Sequence, residues 1–371
     1  MVETPGRPIS GAPVRLGAST RPREARRGRG ATANPTGRYE PTRREAFHDD
    51  GWEADTPAPL RTQVIPERAA RIIARNSSPD IPFDRSINPY RGCEHGCIYC
   101  YARPTHAWLG LSPGLDFESR IFTKPDAARL LAREIGAPGY RPQTIALGTA
   151  TDPYQPVERE HRITRAVLEV LRETHHPVGI TTKSDLVLRD LDILAEMAAL
   201  NLVLVAVSLP TLDRRLARLL DPRAPGPDKR LAAMRRLSEA GVPVMVNLSP
   251  IIPGLTDHEI EAILARARES GASRIGHALL RLPGEVADLV ADWFAEHYPE
   301  RKARAFALLT QARGGRENDP RFGHRFRGEG AYAEMIGQRV RLAGGRLGFA
   351  FGRMDLNREA FRKPGAQLAL F

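Results

Sequence analysis

The sequence predicts an α/β fold of about six strand–helix units on parallel strands, from three observations. Short apolar runs suited to strands covered on both faces occur at residues 144–148, 178–182, 202–208, 242–248 and 275–280. Helical patterns lie between them. Ile163, Ala166, Val167, Val170 and Leu171 follow the stripe of one helix face, and Leu231, Met234 and Leu237 mark another helix opened by Pro227 and Asp228. Thr256 and Glu259, three residues apart, form a capping box for a helix through Ser270. The third observation is a glycine-punctuated loop holding every cysteine of the chain, with a further strand expected just before it. Periodicity alone fits an open barrel and a doubly wound flat sheet equally.

Composition divides the chain. The first fifty residues are rich in Pro, Gly, Arg, Thr and Ala without apolar periodicity, too little to offset ordering entropy, so 1–65 is expected to be a disordered basic tail. Residues 1–50 carry a net charge of +4 and residues 301–371 one of +9, which leaves the middle at −2 of the total +11. Basic flanks beside a near-neutral core would hold a phosphate backbone next to a site. Arg greatly outnumbers Lys throughout, and the same charge also fits arginines on solvated faces. No apolar run approaches the ~20 residues of a membrane span.

The chain has 3 cysteines, Cys93, Cys97 and Cys100, in the run Asn-Pro-Tyr-Arg-Gly-Cys-Glu-His-Gly-Cys-Ile-Tyr-Cys. Three thiolates this close wrap three corners of a cubane cluster and leave its fourth iron open to a small ligand. A structural zinc site would instead close its tetrahedron, with His95 or His106 as the fourth ligand. An odd count and no recognisable signal peptide disfavour disulfides, so a reduced, cytoplasmic location is expected.

Cys-x3-Cys-x2-Cys with Tyr99 before the last cysteine resembles the signature of radical S-adenosylmethionine (SAM) enzymes. Residues 88–103, with Thr-Asp-Pro-Tyr-Gln-Pro at 151–156, resemble the spore photoproduct lyase-like branch, whose members carry the description DNA repair photolyase. The resemblance implies a radical SAM core over 80–290, an open six-unit parallel (β/α) barrel, a 4Fe-4S cluster on the three cysteines, and SAM on the open iron. It also implies reductive SAM cleavage to a 5'-deoxyadenosyl radical that takes hydrogen from substrate, and a low-potential electron donor. By the same resemblance the backbone of Tyr99 meets adenine, and Thr151, with Asp152 beside it, meets the SAM amino group. Lys183 and Ser208 meet the SAM carboxylate, and Asn247 lies near adenine and ribose. His106, Trp108 and residues 110–114 would line the substrate mouth. The branch's hydrogen-donating cysteine falls at Thr149, which cannot serve, so Tyr154 is the candidate hydrogen donor.

The chain ends in Gln367, Leu368, Ala369, Leu370 and Phe371, which resembles the bacterial sliding-clamp-binding peptide. Leu370 and Phe371 would anchor in an apolar pocket of the clamp. Residues 301–360, a basic extension with a helix over 331–343, would flank the mouth or cover the open side. These features together predict a radical SAM enzyme acting on DNA in repair. The alternatives are action on RNA, a peptide or a small molecule, or a zinc-containing nucleic-acid-binding protein without catalysis.

Overall fold

The computed structural model describes residues 28–40, 60–352 and 354–365. Its strands are β1 (Gln63–Pro66), β2 (Ile73–Arg75), β3 (Arg85–Ile87), β4 (Tyr90–Arg91), β5 (Arg120–Thr123), β6 (Ile145–Leu147), β7 (Val178–Thr182), β8 (Val203–Ser208), β9 (Val244–Ile251) and β10 (Arg274–Leu279). In the main sheet β3, β6, β7, β8, β9 and β10 stand side by side in chain order, each neighbouring pair parallel, and β2 adds an antiparallel edge. The strand order never reverses. A doubly wound sheet requires a reversal at its switch point, so that alternative is removed. The sheet is open, since β2 and β10 do not pair with each other among the described residues. A smaller sheet runs β1, β5, β4.

Burial explains why these runs became strands. All of β6 is buried, as are Val203, Val205 and Val207 of β8, because crossover helices cover the parallel sheet. The helix Ile163–Glu173 buries Ile163, Val167, Leu168 and Leu171, and Pro227–Glu239 buries Leu231, Met234 and Leu237. Pro227 opens its helix at a position whose N–H would have had no helical partner. These side chains meet in one core.

Two expectations change. Thr256 does not cap a helix: its hydroxyl accepts from Ile252 N, while the Glu259 carboxylate takes the Thr211 hydroxyl and Leu212 N beyond β8. A backbone N–H four residues upstream took Thr256, and donors nearly fifty residues away took Glu259. The disordered tail over 1–65 is also corrected, because 28–40 packs on the core and 60–66 enters the small sheet through β1. Gly30 N and Ala31 N donate to the buried Glu118 carboxylate at 2.9 and 2.8 Å, and Asn34 pairs with Asp116. The remaining tail positions, 1–27 and 41–59, lie outside the described residues.

The extension after 300 both covers the sheet and reaches its cavity. The helix Gly330–Arg346 buries Ala333, Ile336 and Val340 in the main core, while Phe326 and Arg327 line the cavity. Much of its positive charge is spent internally. Arg313 is buried on the carbonyls of Leu280, His324 and Arg325, and Arg321, Arg325 and Arg339 pair with Asp319, Asp80 and Glu261. The clamp-like residues Gln367, Leu368, Leu370 and Phe371 lie outside the described residues.

Candidate functional site: a thiol-lined cavity

The C-terminal ends of the parallel strands open into a cavity of about 900 Å³ lined by Cys93, Cys97, Cys100, Lys183, Ser208 and Asn247. The cysteine loop leaves β4 through backbone that few side chains tolerate. Gly96 has φ +67°, and a Cβ there would stand 2.7 Å from the Glu118 carboxylate. Cys93 N donates to Phe117 O at 2.9 Å, and Ile98 N to Leu220 O at 3.1 Å. From inside, the buried Arg103 donates to the carbonyls of Gly96, Cys97, Pro113 and Gly114 and pairs with Glu118.

The run at 151–156 clasps this loop. Thr151 Oγ1 donates to Gly92 O at 2.6 Å and accepts from Gln155 Nε2 at 2.8 Å, which keeps one lone pair unused. Gln155 Oε1 accepts from Glu94 N at 2.9 Å. The Asp152 carboxylate takes the Thr182 hydroxyl, Lys183 N and Tyr154 N, and lies 3.2 Å from His95 Nδ1. Three hydrogen-bond donors and the His95 ring thus surround Asp152, which joins β6, β7 and the cysteine loop. Burial alone would lower the His95 imidazole, but Asp152 and the Cys93 thiol beside it outweigh burial and raise it to about 10.

A second network holds Tyr99. Its hydroxyl donates to the buried Asp221 at 2.5 Å; Asp221 accepts from Arg230 at 2.8 Å, and Arg230 reaches Ser208 O at 3.0 Å. The Lys183 ammonium stands 5.7 Å over the Tyr99 ring and has no carboxylate within 4 Å among the described residues. Burial pulls its pKa down, and Cys97, Asp221 and Asp152 more than reverse this, so it remains a cation. Asn247 Nδ2 lies 3.5 Å from Ser208 Oγ. The structure therefore brings Tyr99, Thr151, Asp152, Lys183, Ser208 and Asn247 to one cavity.

Tyr154 is different. It is fully buried in the main core with Arg189 over its ring, it is not among the residues lining the cavity, and its role as hydrogen donor is corrected. Its backbone N–H serves Asp152, which turns the ring away. His106 is buried between Phe117 and Phe122 with Nε2 on Arg120 O, and it is not among the residues lining the cavity. Trp108 stacks on Tyr39 at 4.8 Å, and Gly114 packs beneath Ala33. The mouth is formed instead by residues 79–83, Tyr101, Arg281 and Phe326. Sequence reasoning missed Tyr101, Gln155, Asp221, Arg230 and Arg281. Gln155 stood inside a motif already noted; nothing local marks Asp221 or Arg281.

The donor set fits an iron–sulfur cluster. Burial pushes the Cys97 and Cys100 thiols up, so a bound cation must draw them to thiolates. Three thiols from one short loop match three corners of a cubane cluster and are one ligand short of a closed tetrahedral zinc site.

The parallel α/β fold carries three thiols at its strand ends, and the Radical SAM superfamily model matches residues 87–267. The chain belongs to this superfamily, which uses a 4Fe-4S cluster and SAM. An uncharacterized protein of Mycobacterium tuberculosis is 37% identical over 226 residues, which cover 60% of this chain and 66% of that protein. One of Methanocaldococcus jannaschii is 30% identical over 199 residues, covering 54% and 71%. The alignment with the mycobacterial relative thus spans just under two thirds of that protein's length. Among solved structures, spore photoproduct lyase complexed with dinucleoside spore photoproduct superposes with a TM-score of 0.57 at 14% identity, over 82% of this chain and 88% of that one. A mutant of that lyase with bound AdoMet and dinucleoside spore photoproduct gives 0.55 at 14%, over 78% and 81%. At such identity the likeness is one of fold. No helix among the described residues is long and apolar enough to cross a membrane.

Proposed function

We propose that this radical SAM enzyme acts on DNA, in repair, with its substrate lodged at the mouth of the thiol-lined cavity. The supporting observation is that mouth's chemistry. Arg281 lies 5.0 Å over Phe326 and 5.9 Å over Tyr101, and its Nε is buried without a hydrogen-bond partner. Burial, then the neighbouring Arg325, lower its pKa more than Tyr101 and Asp80 raise it. Arginine interleaved with aromatic rings suits a phosphate backbone with an unstacked base.

When bound, the cluster and SAM supply a 5'-deoxyadenosyl radical by reductive cleavage, and that radical removes a hydrogen from substrate. In this reading the open sheet curls as a partial barrel around the cavity. The Lys183 ammonium and the Ser208 hydroxyl hold the SAM carboxylate, the spare Thr151 lone pair receives the SAM ammonium, Asn247 faces the ribose, and the Tyr99 backbone meets adenine. Asp152 positions Lys183 through its backbone N–H. Tyr101, whose hydroxyl donates to Thr149 O, replaces Tyr154 as the hydrogen donor.

Anaerobic reconstitution is expected to yield about four iron per chain, and the reduced protein should release 5'-deoxyadenosine. Cys97→Ser should lose both. With deuterated DNA the label should appear in 5'-deoxyadenosine; transfer from deuterated RNA or peptide, and not from DNA, would replace the DNA reading.

The terminal residues Gln367, Leu368, Leu370 and Phe371 support docking on the DNA polymerase sliding clamp. Deleting 367–371 should abolish clamp pulldown and leave SAM cleavage intact. Pulldown by the truncated chain would end this reading.

A further inference from the structure

Behind the cysteine loop lies a second hollow of about 230 Å³, whose rim carries Arg159, Arg218, Arg223 and Lys229. Of the residues lining this hollow and the large cavity, His95 alone lines both. The wall between them is one residue thick at that point. His95 is 1% exposed, its ring lies beside the Cys93 thiol, and its carbonyl accepts from Arg223 N at 3.3 Å. A partner seated in the hollow would therefore touch the residue that backs the cysteine loop, without entering the substrate mouth.

The charge here is not incidental to packing. Arg159, Arg218 and Lys229 are exposed, and Arg159 and Lys229 have no ion-pair partner among the described residues. Arg29 adds to the rim, since it and Arg223 both donate to Thr62 Oγ1. The opposing acids are Asp185, which lines the hollow, and Glu94, which is 3.2 Å from Arg223. Cations are in excess.

We propose that this basic hollow is the docking face for an acidic electron-transfer protein, which delivers its electron to the cysteine loop through His95. The inference rests on the chain's being a radical SAM enzyme, whose bound cluster must be reduced by one electron before SAM is cleaved. One electron leaves the reduced donor and enters the cluster; no bond or proton moves in that transfer. Nucleic acid is the other polyanion that fits the charge, but substrate chemistry belongs at the Tyr101 and Arg281 mouth. A face joined to the cysteine loop by His95 alone suits electron delivery.

The test is charge reversal at the two unpaired cations, Arg159→Glu with Lys229→Glu, with Arg346→Glu as a control elsewhere on the surface. The probe is a purified acidic flavodoxin. Its binding to the full chain, measured by fluorescence titration at low salt, should weaken at least about tenfold in the double variant. Added salt should narrow the difference, because exposed charges are screened, and Arg346→Glu should bind as the parent does. SAM cleavage driven by reduced flavodoxin should fall, while cleavage driven by dithionite stays unchanged. Unaltered flavodoxin affinity would overturn the proposal, as would lost DNA affinity with flavodoxin binding intact. If the parent chain failed to cleave SAM with dithionite, the catalytic reading would fail, and the binding titration would still decide the docking face.

Discussion

Replacing Glu118 with alanine is expected to lower unfolding stability by about 3–5 kcal/mol, the usual result of stranding a buried charge. Glu118 and Arg103 are both fully buried, and this carboxylate is the partner of that guanidinium. The same Arg103 grips the carbonyls of Gly96 and Cys97, so its displacement loosens the cysteine loop. The other side of Glu118 holds the N-terminal strap through Gly30 N and Ala31 N. The strap lies so close that a Cβ on Gly30 would come within 1.9 Å of Gly96 O. Gly30→Ala therefore presses on the loop from outside, as Glu118→Ala releases it from inside. Both variants should retain less iron after anaerobic reconstitution, and denaturant unfolding should report the loss for Glu118→Ala. Replacing the pair together, Glu118→Leu with Arg103→Met, should recover part of the stability, because no lone charge remains. Unchanged iron and an unchanged unfolding midpoint in Glu118→Ala would refute the strap's role.

The second large effect is expected at Lys183. Lys183→Met keeps the aliphatic stem over Tyr99 and removes the cation from the cavity. A hydrogen bond to a charged group contributes about 1.5–3 kcal/mol, so SAM affinity should fall roughly tenfold to a hundredfold. Iron content should not change, since Lys183 holds no cysteine through a hydrogen bond among the described residues. Equilibrium binding of SAM to the reconstituted protein distinguishes the two quantities. Parent-like SAM affinity in Lys183→Met would remove the residue from the cofactor site.

The parts legible in the sequence share one property: their signal is local. The cysteine spacing announces a ligand loop because three thiols must reach one object from one short segment. Strand β7 was expected at 178–182 and found there, because its β-branched residues Val178, Ile180 and Thr182 recur with the strand period of two and are the ones buried. Lys183 and Ser208 were legible as polar residues terminating such runs. The capping box at Thr256 and Glu259 misled for the converse reason: its Glu259 carboxylate went to Thr211 and Leu212, distant in sequence, and its Thr256 hydroxyl to Ile252 N.

The sequence by itself determined the cofactor class and the succession of strands and helices, since ligand spacing and apolar period are properties of neighbouring residues. Tertiary structure alone decided how the cysteine loop is held. Glu94 meets Gln155 across 61 residues, Gly30 meets Glu118 across 88, and Tyr99 meets Asp221 across 122. The buried carboxylates of Glu118 and Asp116 hold a segment that composition marks as tail, because a few well-paired polar contacts leave no periodicity to read. It was also the fold that packed Tyr154 into the main core and set Tyr101 at the cavity, two tyrosines of like local appearance separated by long-range packing.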